Sequence, residues 1–302
     1  MEDHRLKAFC LLAEMKSFSK AAEAKFITQS AMSHLIKNLE DELGTKLINR
    51  HPKTISLTPA GKVFYKHAKC ILNLYRSMED DVYTTVGKVK GALHIGASPT
   101  VATYLLSQVF YAFLKKYPEV GIEVSVSNTE KIIDILNEGA IDIGMVEGNI
   151  KDTTVSSEVM AEDEIVLIAS DDNPLTKEKK SISPGHLVTQ PFIMPEKGSG
   201  LREFIDTFLQ TNSIDPKDIK VSMTIGNPEL IIQMVQAGTG ISLVSKWAVF
   251  RAVKEGSVKI LSIKGKKLMR KFYTVGIEKE PSTLTIKTFK DFIREYRFFV
   301  PF

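Results

Sequence analysis

The sequence predicts an α/β fold preceded by a small helical module, and three observations carry that prediction. Ser17 to Glu40 reads as two short helices around a tight turn, the second polar along one face. From Pro59 to about Val86 an uninterrupted helical pattern places apolar residues at heptad spacing. Beyond Gly91, short apolar runs alternate with helical stretches almost to the end, as strands and helices do in an α/β domain.

Residues 3–15 supply a first helix with the apolar stripe Leu6, Phe9, Cys10 and Ala13. Ala21, Ala22 and Ala24 then allow two helices to cross closely, as a helix-turn-helix requires if its second helix is to enter a major groove. Thr28 is placed to cap that second helix. Met32, Leu35, Ile36, Leu39 and Leu43 form its apolar stripe, and Gly44 its stop. The opposite face carries Gln29, Ser30, Ser33, His34 and Lys37, side chains that hydrogen-bond base edges and phosphates. With Thr28 they are the candidate DNA-binding residues.

Lys46 to Ile48 and Thr54 to Leu57 alternate like two short strands around Asn49 to Lys53. That reads as a hairpin wing with Arg50 and Lys53 in reach of phosphates; an ordinary basic loop is the alternative. Thr58 and Pro59 are a cap and a first helical residue. Phe64, Ala68, Ile71, Tyr75, Met78 and Val82 recur at spacings of four and three. A helix of that length spans about 42 Å, too long to bury in so small a module. A second copy of the chain is the natural partner for the seam, and ordinary packing within one chain is the other reading. Gly87 to Gly91 is a short hinge.

Charge follows the same division. Through residue 90 there are 15 Lys or Arg against 10 Asp or Glu, and beyond it 25 against 26. The positive excess sits in the third expected to meet a polyanion. With 43% hydrophobic and 25% charged residues, no long apolar run and no basic-then-apolar leader, neither membrane span nor secretion signal is legible, so the cytoplasm is the expected location. The two cysteines suggest no disulfide framework.

The run FSKAAEAKFITQSAMSHLIKNLEDELGTKLINR and the following LTPAG resemble the N-terminal part of LysR-type transcriptional regulators. That resemblance implies a winged helix-turn-helix with base contacts from the helix opening at Gln29 and backbone contacts from Arg50. Two departures concern packing: Lys25 stands where the family usually has leucine, with Phe26 beside it, and Ile48 where a phenylalanine usually precedes the wing arginine.

The remainder reads as strands 92–97, 121–127, 141–146, 165–169, 192–194, 219–225, 241–244 and 272–277. Helices are expected at 99–117, 128–138, 199–211, 228–237 and 282–298. DIGMVEG and MVQAGTGISLVSKWA resemble the strand and helix-to-strand turns of the family's periplasmic-binding-protein-like effector domain of two α/β subdomains. The expected organisation is thus a DNA-binding domain over 1–58, a linker helix and hinge over 59–91, and an effector domain over 92–302. Its subdomain I takes 92–161 and 268–302, and subdomain II takes 162–267.

Ligands of open α/β sheets gather at the carboxyl ends of strands, against helix N-termini. Ser98 and Thr100 stand at one such place. Lys197, Ser199 and Arg202 stand at another, with two basic groups favouring an anion. Asn128, Thr129, Glu147 and Asn227 end neighbouring strands and complete a candidate effector cleft. No histidine pair has zinc-like spacing, no phosphate loop is present, and GTGIS is no nucleophile elbow. The expectation is therefore neither an enzyme nor a cofactor or metal protein. It is a DNA-binding regulator whose partners are double-stranded DNA, a small anionic effector, copies of itself in a homodimer or homotetramer, and RNA polymerase. The competing class is a solute-binding or metabolic α/β protein with an N-terminal oligomerisation module.

Overall fold

The computed structural model describes residues 3–51, 54–85, 89–177, 181–265, 267–277 and 283–299. Lys53 of the expected wing, and Gly87 and Lys88 of the expected hinge, lie outside them. Contacts divide the chain into two units, one built on Met1–Gly91 and one on the residues from Ala92 onward.

In the first unit, α1 (His4–Met15), α2 (Phe18–Ala24) and α3 (Gln29–Leu43) are each opened by a side-chain cap, from Asp3, Ser17 and Thr28. The Thr28 hydroxyl accepts from Ala31 N at 3.2 Å. Gly44, at φ 64°, ends α3 in the left-handed region where glycine carries no steric cost. Ala8, Phe9, Leu12, Ala21, Ala22, Met32, Ile36 and Leu39 interlock as the core. Ala24 and Leu43 are exposed instead, each at the last turn of its helix and beyond the crossing. Burial pushes the Cys10 thiol up to about 12, which suits a packed side chain rather than a reactive one.

The hairpin is β1 (Ile48–His51) with β2 (Thr54–Leu57), antiparallel and in register from Ile48 against Leu57 to His51 against Thr54. Asn49, Arg50 and His51 thus belong to the strand, not to the turn that the sequence reading gave them. Helix α4 (Pro59–Thr85) is opened by Thr58, whose hydroxyl accepts from Gly61 N at 2.9 Å and donates to the Lys46 carbonyl at 2.7 Å. Its apolar seam divides. Phe64 meets Phe9 edge-on at 4.9 Å and Ala68 is buried, so this end is occupied within the unit. Ile71, Met78 and Val82 stay exposed and Tyr75 is half-buried; Val63 and Leu74, absent from the expected seam, are exposed beside them.

The second unit runs β3 (Gly91–Ala97), α5 (Pro99–Tyr104), α6 (Leu106–Lys116), β4 (Val120–Val126), α7 (Thr129–Asn137), β5 (Ile143–Glu147) and β6 (Val155–Ser170). It continues through β7 (Phe192–Pro195), α8 (Gly200–Thr211), β8 (Val221–Ile225), α9 (Pro228–Gln236), β9 (Ser242–Ser245), α10 (Lys246–Lys254), β10 (Val258–Leu261), β11 (Leu268–Ile277) and α11 (Leu284–Glu295). Among the described residues one sheet has the order β10-β6-β11-β5-β3-β4 with β9 also on β6, and β7 pairs with β8 in parallel. Strands β6 and β11 lie antiparallel, Val155 to Ile165 against Ile277 to Leu268, and β6 continues onto β9 and β10. These two strands therefore tie the halves of the unit together.

Ile165 and Leu167 face a core with Leu201 and Ile205, whereas Val166 and Ile168 face another with Ile231 and Val235. A strand covered on both sides has this uninterrupted apolar texture. Four expectations change here. The helix expected over 99–117 breaks at Leu105. The strand expected over 165–169 begins ten residues earlier, at Val155, and the one expected over 272–277 begins at Leu268. Helix α10 and strand β10 were not expected at all.

Candidate functional site

Two places bring the chemistry-bearing residues together, one in each unit. On α3, Gln29, Ser30, His34 and Lys37 are exposed and Ser33 is half-buried, all opposite the buried Met32 and Ile36. The Ser19 hydroxyl donates to Gln29 Oε1 at 3.0 Å, and the Thr28 and Ser30 hydroxyls lie 3.0 Å apart. His34 Nδ1 and Asn38 Nδ2 are 3.1 Å apart one turn on. The face is therefore polar and partly pre-ordered by its own hydrogen bonds.

Arg50, on β1, has its guanidinium 5.1 Å from the Phe18 ring centroid and 3.8 Å from Glu40. The Glu40 side chain, near the end of α3, is 1% exposed and lies beneath the junction of helix and wing. The carboxylate accepts from Lys46 Nζ at 2.9 Å, Leu47 N at 3.0 Å and Ile48 N at 3.2 Å. Burial alone would raise its pKa, but the Lys46 ammonium and the two backbone donors outweigh burial and hold it below the usual value. Phe26, in the turn between α2 and α3, adopts φ 57° and is 96% exposed. Lys25 beside it is half-buried, its Nζ 3.5 Å from His4 Nδ1.

In the second unit Thr100, Asn128, Glu147 and Ser199 line one cavity of about 10 Å³, together with Pro195, Glu196 and Pro228. That is room for about one water. Ser98 and Thr129 attach to the same carboxylate residue: the Ser98 hydroxyl donates to Glu147 Oε2, and the Thr129 hydroxyl donates to the Glu147 carbonyl at 2.9 Å. Asn128 bridges the halves, accepting from Lys131 N at 3.0 Å and donating to Glu196 Oε1 at 3.3 Å. Ser199 caps α8, accepting from Leu201 N at 3.2 Å. Gly200 follows because nothing larger fits: a Cβ there would collide with the Glu147 carbonyl oxygen and lie 2.8 Å from its Cγ.

The basic residues expected in this cleft lie elsewhere. Lys197 is exposed, and Arg202 is bound to Asp206 at 3.0 Å and to the Pro195 carbonyl at 3.2 Å. Both line a wider groove of about 730 Å³ between α7 and α8, shared with Glu130, Asp134 and Glu203. Asn227 is exposed and caps α9, accepting from Glu229 N at 2.9 Å and Leu230 N at 3.2 Å; it lines neither space.

Behind Glu147 lies a buried charge cluster that the sequence reading missed. Arg270 Nε donates to Asp163 Oδ2 at 2.7 Å, Asp163 Oδ1 accepts from the Ser245 hydroxyl at 2.8 Å, and Arg270 Nη1 stands 3.7 Å from Glu147 Oε1. Burial pushes the Asp163 carboxyl above its ordinary value against the pull of Arg270. A signal was available: Arg270, Phe272 and Thr274 alternate along β11, which puts the arginine on the buried face. Among the described residues no group of His, Cys, Asp and Glu could hold a metal, and no helix is long and apolar enough to cross a membrane.

A helix-turn-helix with a hairpin wing, followed by a long helix and an α/β domain, is the architecture of a ligand-responsive DNA-binding regulator. Residues 4–62 match the bacterial regulatory helix-turn-helix proteins of the lysR family, and residues 87–297 match the LysR substrate binding domain. The HTH-type transcriptional regulator CysL of Bacillus subtilis (strain 168) is 35% identical over 266 residues, 88% of this chain and 88% of that protein. Full-length CbnR complexed with its target DNA has the same fold at TM-score 0.70 and 20% identity, over 97% of this chain and 99% of that one. The regulatory domain of Synechocystis PCC6803 CcmR in complex with 2-PG aligns at TM-score 0.61 and 25% identity, covering 67% of this chain and 95% of that one. The chain belongs to the LysR family: it is a sequence-specific DNA-binding transcriptional regulator with an effector-binding domain, and not an enzyme.

Proposed function

We propose that this LysR-type regulator reads its operator with Thr28, Gln29, Ser30, Ser33, His34 and Lys37, while Arg50 and Lys53 hold the backbone beside the groove. The carrying observation is the polar, exposed face of α3 opposite Met32, Ile36 and Leu39, which are packed in the core. The division of labour follows residues 1–58 for DNA, 59–91 for pairing and 92–302 for the effector. Two chains pair through the open part of α4, from Ile71 to Val82, so that two recognition helices meet two half-sites. The cytoplasm is its location, where RNA polymerase is a further partner. Selection of binding sites from random duplexes tests the DNA reading: a two-fold symmetric pair of half-sites is expected, and an asymmetric or single site overturns pairing.

The effector is a small anionic metabolite held between the two halves of the C-terminal unit at Ser98, Thr100, Asn128 and Ser199. Hydroxyl and amide donors from both halves converge there, and a related regulatory domain is known in complex with 2-PG. The cavity of about 10 Å³ must open about β6 and β11 to admit it. A metabolite panel read by thermal shift tests this, since a ligand at 100 times its Kd adds about 2.7 kcal/mol. A panel in which only amines stabilise the protein would contradict an anionic effector.

A further inference from the structure

Two features beside the cleft are unexplained as long as each is considered alone. One is Glu147, an acid that lines the small cavity and whose carboxylate already holds the Ser98 hydroxyl. The other is Arg270, whose side chain is 4% exposed and whose Nη1 and Nη2 have no hydrogen-bond partner among the described residues. Buried donors without acceptors are rare because desolvating them is costly. Together the two features explain each other. Nη1 stands 3.7 Å from Glu147 Oε1, an ion-pair distance about an ångström too long for a charge-assisted hydrogen bond.

We propose that Glu147 is a built-in stand-in for the effector's acid group. On this inference, which rests on the anionic-effector reading above, the ligand's oxyanion takes over the Ser98 hydroxyl. The displaced carboxylate then moves onto the two free Nη groups of Arg270. A guanidinium presents its N–H groups in a fork that fits a carboxylate side-on, so the exchange converts one hydroxyl contact into a paired one. Glu147, Arg270 and Asp163 carry a net −1 in a buried cluster, which repels an outside anion. Drawing the Glu147 carboxylate off Ser98 and onto the guanidinium is the step that lowers that repulsion.

The position of Arg270 gives the exchange a consequence. It lies on β11 and holds Asp163 on β6, and Asp163 holds Ser245 on β9. Those two strands join the halves of the unit, so ligand arrival at Ser98 is relayed to the crossing about which the halves move. The effector acts only through its different affinity for the two arrangements of Glu147.

Inorganic phosphate titrated by calorimetry into the full-length chain and into Glu147→Gln tests the stand-in. The amide is nearly isosteric and leaves Arg270 and Asp163 matched one to one, so the variant keeps a balanced core. It is expected to bind phosphate at least tenfold more tightly than the parent, and adding Ser98→Ala should remove the gain. In crystals of the parent at saturating phosphate, Glu147 should lie within about 3 Å of both Nη atoms. Equal affinity for phosphate bound at Ser98 in both proteins overturns the stand-in and keeps the cleft. No phosphate binding by Glu147→Gln also overturns it, leaving the cleft to the metabolite panel. Phosphate held away from Ser98 and Ser199 in every protein overturns the cleft reading itself. Weaker binding by Glu147→Gln overturns the stand-in, because the carboxylate then supports the bound phosphate instead of competing with it.

Discussion

Glu40 is where the recognition helix and the wing are fastened, and removing its carboxylate should loosen both. Glu40→Ala strips the acceptor from the buried Leu47 and Ile48 N–H groups and from the Lys46 ammonium. Each buried donor left unsatisfied costs about 1–3 kcal/mol. Relief of the carboxylate's own desolvation returns part of that, which brings the net to about 3 kcal/mol. For a unit of this size the shift is about 4–8 °C per kcal/mol, hence roughly 12–24 °C. The single tryptophan, Trp247, lies in the other unit and supplies an internal control. Far-ultraviolet circular dichroism should show the early transition while Trp247 fluorescence keeps its midpoint. Acid should do the same to the parent. The Glu40 pKa is lower folded than its ordinary 4.5, so its contribution is complete above about 4.5 and is lost as pH falls through the folded value. A dichroism shift of Glu40→Ala under about 3 °C, which corresponds to less than 1 kcal/mol, would refute the clamp.

Gly200→Ala forces a methyl against the Glu147 carbonyl and should lower the stability of the effector unit by about 1–3 kcal/mol, read from Trp247 fluorescence; an unchanged midpoint would mean that the halves do not meet there as described. Phe26 holds a left-handed conformation with its ring in water, so Phe26→Gly should raise stability by about 1 kcal/mol in urea titrations, and a loss would show that the ring packs against something. Leu74→Asp with Met78→Asp should leave the single chain folded and halve the sedimenting mass, because both side chains are exposed on α4; a parental mass would exclude α4 as the pairing helix.

The parts of the fold legible in the sequence are those fixed by local chemistry. Thr28, the Met32–Ile36–Leu39 stripe and Gly44 locate α3 to the residue, because cap, period and stop agree. Strands covered on both faces, such as Ile143–Glu147, show as plain apolar runs. The first ten residues of β6, VSSEVMAEDE, mix Val155, Val159 and Met160 with polar residues and are mostly exposed or half-buried, so their strand character comes from pairing with β11 and not from a regular apolar pattern. Cleft residues at strand ends were legible for the same topological reason: Ser98, Thr100, Asn128, Glu147 and Ser199 do converge. The charged residues that organise the two sites were not. Glu40 and Asp163 read as solvated in one dimension, Arg270 shows only in the alternation along β11, and partners from distant segments make the burial of all three tolerable. Lys197 and Arg202 neighbour the cleft in sequence but line the groove between α7 and α8, where Asp206 pairs with the arginine.

The central claim, that the exposed face of α3 reads base sequence, is tested most directly by one titration. Fluorescence anisotropy would compare the parent and His34→Ala on the duplex upstream of the chain's own gene and on a random duplex, each over a salt series. Loss of a base contact should remove about 1–3 kcal/mol of discrimination while the salt slope stays that of the parent. If His34→Ala keeps the full ratio between the two duplexes, or loses affinity for both equally with a shallower salt slope, α3 does not read bases as described.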